Sequence, residues 1–241
     1  MITTYKLLKN RANTYFGPFV YGAIDGTVTT FAVVASSYGA NLPSRVVLIL
    51  GFANLIGDGF SMGASAYASG LSERQQQARA MEVYSTDRFA TEQKVRQSIS
   101  HHFVKDYGFE GELLESALNV AMSREDRIVK HLLRDQFGVE HVHASRREAF
   151  SVALATFVAF LAVGIIPLLP YLYSLINDMT RASVFMWSMI MTIVSFMLVG
   201  YLKGRVTVTN RWRATLETVL LGGIAALIAY GVGDVLANWL I

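Results

Sequence analysis

The chain has 241 residues, of which 53% are hydrophobic and only 16% charged. Soluble domains carry roughly 25% charged residues, so this balance, with a mean hydropathy of +0.38, excludes an ordinary soluble enzyme or binding module and indicates a membrane protein. A net charge of +3 does not argue for nucleic acid: outside one polar stretch, Lys and Arg cluster in short links beside apolar segments, where orientation in a bilayer explains them. Cysteine is absent, which removes disulfides, thiolate metal sites and cysteine nucleophiles.

In chain order, Lys6, Lys9 and Arg11 come first; no small-residue cleavage site follows, and no removable signal peptide is expected. A spanning helix needs about 20 apolar residues. Five stretches reach that length, at 15–40, 46–70, 149–176, 184–202 and 218–241. Residues 41–45, with Pro43, and 177–181 are tight links. Between the second and third spans, residues 71–148 hold all the acidic residues except Asp25, Asp58, Asp178, Glu217 and Asp234. The expected division is therefore 1–70 (N-terminal segment and two spans), 71–148 (a small polar domain) and 149–241 (three spans). The polar domain reads as helical, because Leu113, Leu114, Ala117, Leu118 and Ala121 recur at the spacing of one helix face. Gly108 with Gly111, and Gly138, predict breaks within it. The fold class is all-α and polytopic, with five transmembrane helices and a cytosolic helical domain between the second and third. Lys203, Arg205, Arg211 and Arg213 join the fourth span to the fifth, while the opposite side holds only Arg45 and Arg181. The positive-inside rule then places the N-terminus and the polar domain in the cytosol and the C-terminus across the membrane.

A carboxylate at bilayer depth costs a few kcal/mol, so it marks a partner or a wet cavity. Asp25 stands inside the first span and Asp58 near the middle of the second. Asn54, Asp58 and Met62 follow at i+4 steps along one helix face, with Ser61 and Ser65 beside them. Carboxylate, carbonyl and thioether donors together suit Fe2+, Mn2+ or Co2+ better than Mg2+ or Ca2+. The competing reading of each acid is local pairing that fixes helix packing, and a lone Met in a span is more often packing. Gly22 with Gly26, and Gly59 with Gly63, form GxxxG pairs that let backbones approach closely; the partners are the first two spans of one chain or of two copies. Gly59-Phe-Ser-Met-Gly63 also fits the G-x-S-x-G nucleophile pattern. A serine nucleophile needs a base within reach, and all five histidines lie in the polar domain, so the sequence disfavours a hydrolase. In that domain Glu110, Glu112 and Glu115 are weaker metal candidates, as are His141 and His143. A solvated surface of mixed charge is the simpler reading of these residues.

These residues carry a resemblance. Asp25-Gly-Thr-Val-Thr-Thr30, Leu48-Ile-Leu-Gly-Phe-Ala-Asn-Leu-Ile56 and Asp58-Gly-Phe-Ser-Met-Gly63, followed by Tyr67 and Ser72-Glu73, are similar to motifs of the vacuolar iron transporter family. Gly164-Ile-Ile-Pro-Leu-Leu-Pro-Tyr171, Leu220-Leu-Gly-Gly-Ile224 and Tyr230-Gly-Val-Gly233 extend the match to the third and fifth spans. The resemblance implies a homodimer of five-helix protomers in the lipid bilayer, with the ion path at the two-fold interface along the first two spans. It implies export of Fe2+, sometimes Mn2+, from the cytosol with protons as counter-ion, and no permanently bound cofactor. A plasma (inner) membrane or a vacuole-type membrane is the expected site. Asp25 and Met62 match the family's intramembrane metal-binding Asp and Met. Well-studied members carry Glu where this chain has Asn54, and Asp58 one turn later is a substitute carboxylate. They also have an acid where this chain has Pro18, and a Met-Met-x-x-Glu motif where Leu132-Leu-Arg-Asp-Gln136 stands. The expected metal path is thus Asp25, Asp58 and Met62, assisted by Asn54 and Ser61. The alternative is a non-transporting membrane scaffold or regulator of the same fold.

Overall fold

The computed structural model describes residues 2–137, 145–207 and 209–240, with side chains described from residue 15 onward except at 135–137 and 206. Every regular element among the described residues is helical. In chain order they are α1 (Ile2–Gly39), α2 (Ser44–Thr86), α3 (Arg88–Tyr107), α4 (Gly111–Met122), α5 (Glu125–Phe137), α6 (Arg146–Gly164), a 3-10 turn (Ile166–Leu168), α7 (Leu169–Tyr173), α8 (Arg181–Val206) and α9 (Arg211–Leu240). Five helical stretches are long and apolar enough to cross a membrane: Tyr15–Gly39, Ser44–Thr86, Arg146–Tyr173, Arg181–Arg205 and Arg211–Leu240. They fall on the five apolar stretches of the sequence, with two differences. The helix of the second span does not stop with its apolar run but continues to Thr86, since Ser72 to Arg79 contain no Gly or Pro to end it. The third span breaks at Gly164, where Pro167 and Pro170 each remove a backbone donor. The turn is held from α8, whose buried Ser188 hydroxyl donates to the Pro167 carbonyl at 2.6 Å. Such a side chain re-satisfies backbone that lipid cannot.

The chain forms two compact units, Met1–Tyr67 with Phe150–Ile241, and Ala68–Ala149. In the first, the core is Phe31, Val34, Val47, Leu48, Leu55, Phe160, Leu168, Tyr171 and Val184. The link between α1 and α2 turns at Asn41 (φ 58°), the left-handed region that Asn tolerates better than most residues. Arg181, the first residue of α8, fastens this link. Its guanidinium donates to Asn41 Oδ1 at 2.6 Å and to the Tyr38 carbonyl, and sits 4.7 Å from the centre of the Tyr38 ring. That ring stacks on Phe185 with centroids 3.9 Å apart. Charged hydrogen bonds contribute about 1.5–3 kcal/mol and a cation over a ring about 0.5–2 kcal/mol. Arg181→Ala is therefore expected to lower stability by about 2–4 kcal/mol, seen as a lower melting temperature in detergent, with Arg181→Lys recovering only part of it because an ammonium lacks the planar fork.

In the second unit the end of α2 joins α3, α4 and α5 around Tyr84, Val95, Ile99, Leu118 and Leu132. Asp87 breaks the helix between α2 and α3 by capping α3, accepting from the Ala90 amide at 3.0 Å. The predicted break at Gly108 and Gly111 is present, both at positive φ (67° and 55°). Of the predicted face, Leu118 is buried and Leu114 and Ala121 pack against the core, whereas Leu113 is 60% exposed. Gly138, His141 and His143 lie outside the described residues.

Candidate functional site

The two GxxxG pairs meet a helix that the sequence did not point to. A Cβ on Gly22 would stand 2.5 Å from the carbonyl oxygen of Thr156, and one on Gly26 would clash with the backbone of Phe160. One on Gly59 would stand 3.2 Å from the Phe160 ring, and one on Gly63 at 3.2 Å from Phe157 and 3.3 Å from the Ala153 carbonyl. Both pairs therefore seat their helices on α6. The register is continuous. Gly51 faces Leu168, Leu55 faces Gly164, Gly59 faces Phe160 and Gly63 faces Ala153, so α2 descends α6 while α1 ascends it.

This register sets the depth of the two acids. Asp25 immediately precedes Gly26 and Asp58 immediately precedes Gly59, and both glycines sit at Phe160. The carboxylates thus share one layer of the unit. Each is turned about 100° round its helix from the glycine that follows it. Because α1 and α2 run in opposite directions, the two turns have opposite sense. Asp25 lies close enough to Asp58 to interact with it electrostatically. Asp25 is half-buried and Asp58 exposed.

The other expected ligands are placed unevenly. Met62 packs against the apolar core. Asn54 is half-buried, and its side-chain nitrogen is buried without a partner. Ser61 is exposed on the same helix as Asp58. Thr30, one turn beyond Gly26, is fully buried and its hydroxyl also lacks a partner. Sequence reasoning passed over it, although its i+4 step from Gly26 was visible. Orphaned buried polar atoms cost about 1–3 kcal/mol each, and two of them flank the acidic layer on its α7 side. The exposed α2 face around Asp58 mixes the small residues Gly57, Ser61, Ala64 and Ser65 with the large apolar Ile56 and Phe60.

The polar unit offers less. Glu115 is bound by Arg96 at 2.5 Å, and the same guanidinium reaches Asn119 at 3.3 Å. Glu110 and Glu112 lie at the N-terminus of α4 and are exposed. Among the described residues no three His, Asp or Glu side chains gather as a metal group. Glu92 is held below the usual carboxylate range by hydrogen bonds from Arg88 and then Tyr84, a structural ion pair on the surface of this unit.

A family model described as the VIT family matches residues 16–234. The chain is 27% identical over 226 residues to the vacuolar iron transporter of Plasmodium berghei, covering 90% of this chain and 80% of that protein. It is 28% identical over 221 residues to vacuolar iron transporter 1 of Arabidopsis thaliana, covering 91% and 85%. With the vacuolar iron transporter of Toxoplasma gondii the identity is 26% over 234 residues, covering 94% and 76%.

Proposed function

The chain belongs to the VIT family, and on that premise we propose that it is an integral membrane transporter that moves Fe2+, and also Mn2+, out of the cytosol in exchange for protons. The observation that carries the proposal is the shared layer of Asp25 and Asp58, two carboxylates at one depth between apolar helices. A carboxylate there costs about 2.5–3.5 kcal/mol and is retained for what it can bind. A metal ion takes the deprotonated form, so arrival of the cation releases a proton and its departure invites one back. That cycle couples the two fluxes without any further part. Met62, Asn54 and Ser61 assist on α2, the thioether favouring borderline-soft ions over Mg2+ and Ca2+. One protomer offers two acids in this layer; a homodimer joined along α1 and α2 doubles the set and covers the exposed α2 face around Asp58. Lys6, Lys9 and Arg11 in the N-terminal part of α1, and Lys203, Arg205, Arg211 and Arg213 at the adjoining ends of α8 and α9, support a cytosolic place for the unit Ala68–Ala149.

The test is uptake of Fe2+, Mn2+, Co2+ and Mg2+ into proteoliposomes of the purified protein, with the interior neutral or acidic. Uptake of the first two, accelerated severalfold by an acidic interior and cancelled by a protonophore, is the expected result. No uptake of Fe2+ or Mn2+ by correctly inserted protein favours the scaffold alternative, and uptake indifferent to the gradient removes the exchange step alone.

A further inference from the structure

We propose that Phe160 is the spacer that sets the separation of the Asp25 and Asp58 carboxylates, and through it the size of divalent cation that the chain accepts. The inference rests on the transport reading above and adds a positioning residue to it, one on a third helix that holds no ligand.

Phe160 is fully buried and meets both sides of the site. Its backbone stands where a Cβ on Gly26 would be, and its ring Cδ1 lies 3.2 Å from where a Cβ on Gly59 would be. So α1 rests on the main chain of this residue and α2 on its ring. Each resting glycine directly follows one of the two aspartates. At the depth of the acids the ring therefore stands between α6 and α2, while α1 lies directly on the α6 main chain. Neighbouring positions do not duplicate this. Phe157 meets Gly59 and Gly63 and so borders α2, while Thr156 borders α1 at Gly22. One turn on, Gly164 meets Leu55 and the Gly26 carbonyl, but it has no side chain with which to set a distance.

The chemistry follows from how narrowly metal–oxygen distances are defined. Carboxylate oxygens hold first-row divalent ions at about 2.0–2.2 Å, and a site must keep its donors within roughly 0.5 Å to hold one ion in preference to another. A ring in van der Waals contact with a glycine cannot be trimmed without letting α2 move on α6. Movement of α2 carries Asp58 relative to Asp25. Because interiors are close-packed, the shift reaches the carboxylates rather than being absorbed between.

The experiment compares kcat/KM for Co2+, Fe2+ and Mn2+, in order of increasing radius, in proteoliposomes of the full chain. The proteins are wild type, Phe160→Leu, Gly59→Ala, the double variant, and Val152→Ala as a control buried two turns away on the same helix. Phe160→Leu is expected to change the Mn2+/Co2+ ratio at least fivefold, with a melting temperature near that of Val152→Ala. Gly59→Ala pushes on the ring from the other side and also changes the ratio. The double variant, in which the added methyl takes up vacated space, returns toward wild type. A merely structural ring would scale all three metals alike. Uniform loss across metals in Phe160→Leu, or a ratio shift no larger than in Val152→Ala, overturns the proposal; should Phe160→Leu fail to insert, Phe160→Met is read by the same criterion. Wild-type protein that moves no metal would instead refute transport itself, whereas a transporting wild type with an unchanged ranking removes only the spacer.

Discussion

Asp25→Asn is expected to abolish metal uptake by proteoliposomes while leaving the protein at least as stable as wild type. Asn has the same shape, so no cavity is made in a half-buried position on α1. What is lost is the charge that compensates a divalent ion and the titrating group that exchanges it for a proton. Loss of groups that merely support metal ligands costs 10- to 100-fold in affinity or activity; loss of a ligand itself should reach about 100-fold or more. The stability half of the prediction separates function from packing. Among the described residues Asp25 has no ion-pair partner, and its one charged neighbour in the layer is Asp58, of like sign. Removing such a charge relieves a cost of about 2.5–3.5 kcal/mol in the bilayer, so the melting temperature in detergent should stay level or rise. An aspartate that only fixed helix packing would behave the other way, with activity following folding. Asp25→Asn protein that transports normally would falsify its place on the path.

The spans and the acids were legible because each is a property of a short stretch of chain. Twenty apolar residues make a spanning helix wherever they pack, and a carboxylate among them is costly whatever its neighbours. The short links at Pro43 and Asp178 showed equally well. What the sequence could not show is who meets whom. Gly22, Gly26, Gly59 and Gly63 announce helix faces that admit close contact, and the expected partners were the first two spans or two copies. The structure seats all four on α6, since a small face specifies closeness and not its partner. Phe160 was illegible for the same reason: one Phe in the apolar run from Ala149 to Val163 carries no local sign that two glycines from other helices flank it. Likewise Arg96 and Glu115 lie far apart in sequence, and their ion pair appears only once Gly108 and Gly111 reverse the chain. The break of the third span could have been read, because Pro167 and Pro170 lie four and one residues before Tyr171, too close to leave a helix its ladder.

Asp58→Asn is the second large effect, and it differs from the first in what it leaves intact. Asp58 is exposed in the protomer together with Gly57, Ser61, Ala64 and Ser65, all small or hydroxyl-bearing, and with the large apolar Ile56 and Phe60. By contrast, the lipid-type surface of α9 carries Leu220, Leu221, Ile224, Leu227 and Ile228. The α2 face differs in carrying a mid-span carboxylate and small hydroxyl residues among its apolar side chains. The α9 face suits hydrocarbon, whereas a carboxylate and small hydroxyl residues suit a second helix at close range or water that it encloses. In the proposed homodimer, a two-fold axis beside α2 would meet that need with the same patch on both copies and would bring the acids together. Asp58→Asn should then reduce metal uptake at least tenfold, for the reasons given for Asp25, yet leave the dimer in place, because it removes a like-charge contact and keeps the small residues that allow the approach. The absence of cysteine makes the dimer half direct to read. Ser65→Cys is expected to give an oxidised, cross-linked dimer in membranes, alone and combined with Asp58→Asn, whereas Leu221→Cys on α9 remains monomeric on the same gel. Cross-linking at Leu221 without cross-linking at Ser65 would move the two-fold axis to α9 and leave the α2 face to lipid. Normal uptake by Asp58→Asn would take this carboxylate off the path and leave Asp25 to bind the ion with neutral donors alone.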